Sequence, residues 1–237
     1  MPEHRFDITS VQAIAMFETS IGSDAAAKVF KKIPEAWDAE FDGGTEFFPL
    51  GGDFPPDLPI PLFRRTSSNK QQFLNLTKQR IEFIFNMVDQ QPVDLAQVMQ
   101  EAARIIGGIA DILPSTVVIN RLATVVHRIS KDKFTAKMLA EQFCSEKANE
   151  GPYKRLGTFE LHAHKVFTTQ FGEEINSWVR QRSARRRDDQ LEVITIEQDM
   201  NTLVPRGPFA PQELRGFFEK ISSEAERCFE TYYPQGA

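Results

Sequence analysis

The spacing of apolar residues switches along the chain between two periods, and each switch marks out an element. Asp7 to Glu18 alternates, with Val11, Ala13, Ala15 and Phe17 on one side and Gln12, Ile14 and Met16 on the other, which predicts a largely buried strand. Ser20-Ile21-Gly22-Ser23-Asp24 supplies turn and N-cap residues, after which Val29, Phe30 and Ile33 recur at helical spacing until Pro34. Pro61–Thr66, Gln71–Leu76 and Arg80–Asn86 are extended pieces joined by short polar turns, the pattern of a β-meander. From Asp94, a good N-cap, Leu95, Val98, Met99, Ala102, Ile105, Ile106, Ile109, Ile112 and Leu113 fall three and four apart. They predict one long amphipathic helix that Pro114 stops.

The second half repeats this order. Thr116 to Arg128 is β-branched and apolar, Lys131 to Ser145 carries Phe134, Met138, Leu139 and Phe143 at helical spacing, and Thr158–Phe167, Glu174–Arg182 and Gln190–Asn201 read as three strands. A closing helix opens at Pro211 and puts Leu214, Phe217, Phe218, Ile221, Ala225, Phe229 and Tyr232 on one side. The fold class expected is therefore α+β, in two pseudo-repeated β-α-β-β-β-α halves, residues 1–114 and 115–237. Their antiparallel sheets would pack against the long helices in one compact pseudo-twofold unit, each half covering the other's sheet. The halves share the order of elements and almost no residue identity, so the repeat rests on pattern.

Composition narrows the function classes. With 28 Lys and Arg against 33 Asp and Glu, the formal charge of −5 provides no global field for nucleic acid or anionic lipid, so any such contact needs a local patch. No apolar run approaches the roughly 20 residues that span a bilayer, and the polar start lacks the apolar core of a signal peptide, so a cytoplasmic location is expected. Twenty Phe against 3 Tyr and 2 Trp favour packing over recognition, because Phe has no polar handle. Cys144 and Cys228 stand alone among apolar neighbours and are expected as buried free thiols.

The proline-led meander from Pro61-Leu62-Phe63-Arg64-Arg65 through Leu76 to Phe85-Asn86, the stretch Asn120-Arg121-Leu122, and Ile194-Thr195-Ile196-Glu197-Gln198-Asp199 together carry a resemblance. In these the chain resembles a sporadically distributed family of uncharacterised prokaryotic proteins built from two strand-helix-meander-helix halves. The resemblance implies the two-half architecture and a prokaryotic or phage context. It brings no activity, cofactor or site.

Candidate sites come from the residues alone. Phe47, Phe48, Phe54, Leu58 and Ile60 lie in the Gly/Pro-rich connection Asp42–Pro61, which also holds a short Thr45–Leu50 strand; apolar side chains on such an arm can anchor a protein partner, or simply lid the core of their own half. Arg180, Arg182, Arg185, Arg186 and Arg187 crowd a predicted hairpin turn, where five guanidinium groups could bind phosphates or nucleic acid. Asp188 and Asp189 follow them directly and suggest a self-neutralised turn instead. Glu160, His162 and His164 alternate on one strand face, two imidazoles and a carboxylate that could share a metal, or simply the polar face of a half-buried strand. Glu197 and Asp199 form a similar pair of carboxylates. No phosphate-binding glycine loop and no nucleophile elbow occurs, so no cofactor is expected. The leading expectation is a non-enzymatic interaction or scaffold protein with a protein partner, a homodimer included. The alternatives are a nucleic-acid-binding protein using the arginine hairpin and a metal-dependent enzyme.

Overall fold

The computed structural model describes residues 6–33, 35–48, 60–88, 91–144, 157–203 and 208–232. Its elements run β1 (Phe6–Phe17), α1 (Ser23–Phe30), a 3-10 turn (Glu35–Asp38), β2 (Thr45–Phe47), β3 (Pro61–Thr66), β4 (Gln72–Thr77), β5 (Arg80–Asn86) and α2 (Leu95–Ile112). There follow β6 (Ile119–Ser130), α3 (Ala136–Phe143), β7 (Glu160–Thr168), β8 (Glu174–Arg185), β9 (Glu192–Thr202) and α4 (Pro211–Tyr232). All nine strands join one antiparallel sheet in the order β2-β3-β4-β5-β1-β6-β9-β8-β7.

The sheet corrects the expectation of two sheets. β1 and β6 pair antiparallel along nearly their whole length, Phe6 to Phe17 against Ser130 to Ile119, and so fuse the two meanders at the centre. Both strands have the composition for it: long, β-branched or small, and apolar on one face. Each long helix also lies over strands of its own half, α2 on β1 and β5 and α4 on β6, and the two helices pack on each other. The halves overlap at the central pair, where the Phe6 ring of β1 meets Phe229 of α4 at 5.5 Å between centroids.

The core lies between the helices and one face of the sheet. Val11, Ala13 and Ala15 of β1, Leu122 and Val126 of β6, and Phe83 of β5 point into it and meet Met99, Ile105 and Ile106 of α2 and Leu214, Phe218 and Ile221 of α4. Ala26 and Val29 of α1 join the same cluster, and Leu139 of α3 joins a second, smaller one with Phe6, Val179, Ile194, Ile196 and Phe229. All four helices therefore sit on one face of the sheet. Among the described residues no helix packs on the opposite face.

Local chemistry accounts for the helix limits. The Asp94 carboxylate accepts from the Ala96 and Gln97 backbone N–H groups and starts α2, while Thr135 Oγ1 accepts from Met138 N and starts α3 eight residues before its end at Phe143. That cap places the start of α3 later than the expected Lys131, because Ser130 to Asp132 continue or close the β6 strand. Two glycines inside α2 serve contact, not chain reversal: a Cβ on Gly108 would lie 2.8 Å from the Trp37 ring, and one on Gly107 2.6 Å from Arg215 Nε. No helix among the described residues is long and apolar enough to cross a membrane.

Candidate functional site

The described part of the Gly/Pro-rich connection lies at one edge of the sheet. Thr45–Phe47 pairs with Phe63–Arg65 of β3, and the alternation of a strand sends Phe47 to the helix side and Phe48 to the open side. The Phe47 ring meets Phe30 edge-on at 4.7 Å between centroids and lies 6.3 Å from Phe63, yet its residue is 55% exposed. On the open side the Arg64 guanidinium lies 5.8 Å from the Phe48 ring and 5.9 Å from Phe73, and its Nε donates to Asn75 Oδ1 at 2.9 Å. Ile60 is half-buried at the foot of β3. Phe54 and Leu58 lie outside the described residues.

The arginine run does not form a single tip. β8 continues through Arg185, so Arg180 and Arg182 project from mid-strand on the open face and only Arg186 and Arg187 belong to the turn. Each guanidinium but one faces a carboxylate. Arg180 hydrogen-bonds Glu197 directly across on β9; Arg182 lies 3.7 Å from Glu160, Arg185 3.9 Å from Glu192, and Arg186 2.5 Å from Asp189 and 3.5 Å from Asp188. The Arg186 hydrogen bond holds the Asp189 carboxyl down to about 2. Arg187 alone of the five has no carboxylate partner among the described residues.

Glu160, His162 and His164 do share the outward face of β7, the edge strand at the far side of the sheet. His162 Nε2 lies 3.6 Å from a Glu160 oxygen, but His164 is held elsewhere. Its ring stacks on Trp178 at 4.2 Å and 17°, and Nε2 sits 2.5 Å from Asn176 Oδ1. Among the described residues no group of three or more His, Cys, Asp or Glu is arranged to hold a metal ion.

Across the four strands of this wing, His127, Glu197, Arg180 and His162 form one in-register row. The row borders a shallow basin of about 410 Å³ with Ser10, Thr195 and Arg182 on its walls, next to the register shift between Ile8 and Ser10 in β1. Burial pushes the His127 imidazole below its usual value and outweighs the pull of Glu197, so it is neutral at pH 7. Asp199 accepts from Asn201, whose own oxygen accepts from Arg121 at 2.5 Å. Glu197 and Asp199 are thus both occupied in cross-strand networks on a solvated sheet face.

Trp178 was not among the candidates drawn from the sequence. Its signal was available in the period: Trp178, Arg180 and Arg182 alternate on one face of a strand, the aromatic–arginine pairing common at protein interfaces. Compared with protein-family models and with curated proteins, the sequence matches none.

Proposed function

We propose that this chain is a non-enzymatic interaction protein of a prokaryote or phage, whose scaffold is a duplicated strand-helix-meander-helix unit and whose partner is a protein. The duplication is supported by the sheet order, which runs outward from the β1·β6 pair through the third, second and first meander strand on either side. Residues 1–114 and 115–237 are then the two copies, joined in one unit by the central pair and by the packing of α2 on α4.

The observation that carries the interaction reading is Phe47. A residue 55% exposed, its ring backed by Phe30 and Phe63 on what is the edge strand among the described residues, is the kind of apolar anchor on which interface energy concentrates. Phe48, Arg64 and Phe73 extend the same edge with the aromatic and arginine types enriched in interfaces. Ion pairing of the arginines argues against the nucleic-acid alternative, since counterion release needs cations that are not already neutralised. The test is a nuclease-treated capture from the native host with wild type, Phe47→Ser and the triple change of Arg185, Arg186 and Arg187 to Ser. Partners retained by wild type and the arginine variant but lost with Phe47→Ser support the reading. Retention by the Phe47 variant, or loss with nuclease alone, overturns it.

A further inference from the structure

A cleft lies on the opposite side of the sheet from the histidine row, between the N-terminal end of α2 and the C-terminal half of α4. It has a volume of about 510 Å³, within the range of small-ligand sites. Its apolar surface comes from Phe6 and Ile8 of β1, Val93 and Leu95 at the start of α2, and Phe229 of α4. The cleft marks a seam in the core: Ile8 and Leu95 belong to the main cluster, Phe6 and Phe229 to the smaller one.

At this seam β6 presents Arg128, a residue only 2% exposed. Its Nη1 donates to Gln198 Oε1 at 3.0 Å, its Nη2 to Glu226 Oε1 at 3.0 Å, and its guanidinium carbon lies 4.4 Å from the Phe229 ring centroid. The partner is not equally buried. The Glu226 side chain is 38% exposed on the cleft-facing side of α4. A buried guanidinium whose single carboxylate stands at the rim is a costly arrangement for stability alone, because desolvation of the cation is only partly offset by a solvated partner. Burial accordingly pushes the Arg128 guanidinium below its usual value.

The other charges lining the cleft are already spent or peripheral. Lys131 pairs with Asp7 at 3.1 Å, and Asp94 caps α2. Glu230 sits on the last turns of α4 and is exposed. A second cation would find Arg128 already occupying the floor, whereas a carboxylate can exchange with Glu226 on Arg128 without changing the buried charge.

We propose that this cleft binds a monocarboxylate with an apolar body, whose carboxylate replaces Glu226 on Arg128 while its chain or ring packs between Phe6, Val93, Leu95 and Phe229. Glu226 serves as the internal stand-in that keeps the guanidinium paired when the cleft is empty. Free acids and the C-terminus of an apolar peptide share this chemistry. No covalent step is involved.

The discriminating variant is Glu226→Gln, because it removes the competitor and leaves the cleft intact. Octanoate, with octanol and octylamine as controls, is titrated calorimetrically into the full-length wild type, Glu226→Gln and Arg128→Lys. An apolar tripeptide is compared with its amidated form to separate free-acid from peptide sources. The expected result is saturable octanoate binding that tightens about tenfold in Glu226→Gln, which corresponds to about 1.4 kcal/mol, and a larger rise of melting temperature on adding octanoate to that variant than to wild type. Arg128→Lys should weaken binding; since it can also loosen the fold, the Glu226→Gln comparison decides. No octanoate binding in either wild type or Glu226→Gln, equal affinity in the two, or tighter binding of octylamine than octanoate overturns the proposal.

Discussion

Three glycines in the two long helices allow one chemical change to be made in three environments. Gly→Ala in a helix interior gains about 1 kcal/mol from propensity alone. At Gly216 of α4 nothing lies within 4 Å of the added Cβ, so that gain should appear nearly whole. At Gly108 of α2 the same methyl would stand 2.8 Å from two atoms of the Trp37 ring. Trp37 is buried and cannot swing away, with the Arg104 guanidinium 5.5 Å from its ring, so the overpacking cost of about 1–3 kcal/mol exceeds the propensity gain. Gly107 is intermediate: the obstacle is Arg215, a partly exposed side chain that can leave its Asp111 partner at small cost. The predicted order of stability is Gly216→Ala above wild type by about 1 kcal/mol, Gly107→Ala near wild type, and Gly108→Ala below it by about 1 kcal/mol. Urea unfolding measures this directly, and the outer pair should differ by about 4–8 °C in melting temperature for a chain of this size. In a Trp37→Ala background Gly108→Ala should change sign and stabilise. If Gly108→Ala and Gly216→Ala shift stability in the same direction in the wild-type background, the close approach of Trp37 to α2 is wrong.

Two further predictions concern titrating groups. The Cys228 thiol is buried and pushed up by that burial, while Cys144 is partly exposed, so an alkylating reagent at pH 8 should label Cys144 in the folded protein and Cys228 only after unfolding; mass spectrometry of the labelled peptides reads the ratio. The folded His127 lies below its ordinary 6.5, so as pH falls through 6.5 the unfolded chain takes up a proton first. The stability it contributes is complete above 6.5 and is lost between 6.5 and the lower folded value. In urea titrations across that window His127→Gln should show a shallower loss than wild type, and an unchanged slope would remove His127 as the cause.

How much of this was legible in the sequence depended on whether a residue's role was local. The helix α2 was readable because Asp94, the three-four spacing and Pro114 each act within a few residues. The meander β3–β5 was readable from its turns. The fusion of the halves was not, because pairing of β1 with β6 is set by which edges meet across more than a hundred residues, and two apolar strands look alike whether they lie in one sheet or in two. The arginine run shows the same limit. Its adjacency in sequence suggested a concentrated charge, but strand alternation and the neighbours Glu160, Glu192 and Glu197 disperse it. Arg128 drew no notice as the last residue of an apolar strand, since nothing local distinguishes a buried arginine from an exposed one.

The two wings of the sheet are built to different standards, and this should show in their dynamics. On the first, Phe63, Leu74, Leu76, Ile81 and Phe83 pack into the main cluster. On the second, the inward face of β8 carries Ile175, Ser177, Val179 and Gln181, and both Ser177 and Gln181 are buried. Gln181 stands in register between Leu161 and Ile196, and neither its amide nitrogen nor its oxygen finds a hydrogen-bond partner among the described residues; the Ser177 hydroxyl is likewise unsatisfied. Such a group costs about 1–3 kcal/mol relative to a satisfied or apolar one. The wing is also closed by an edge strand whose inward face holds Lys165 beside Phe167, a device that discourages further pairing at the expense of packing. Hydrogen exchange should therefore open β7 and β8 well before β1 and β6. Gln181→Met keeps the volume and removes the unmet polar atoms, so it should stabilise the protein by about 1–2 kcal/mol and raise the protection of β7 and β8 selectively. Protection of β8 in the wild type equal to that of β1, or destabilisation by Gln181→Met, would show that the Gln181 amide is satisfied in solution and that the second wing is as firmly held as the first.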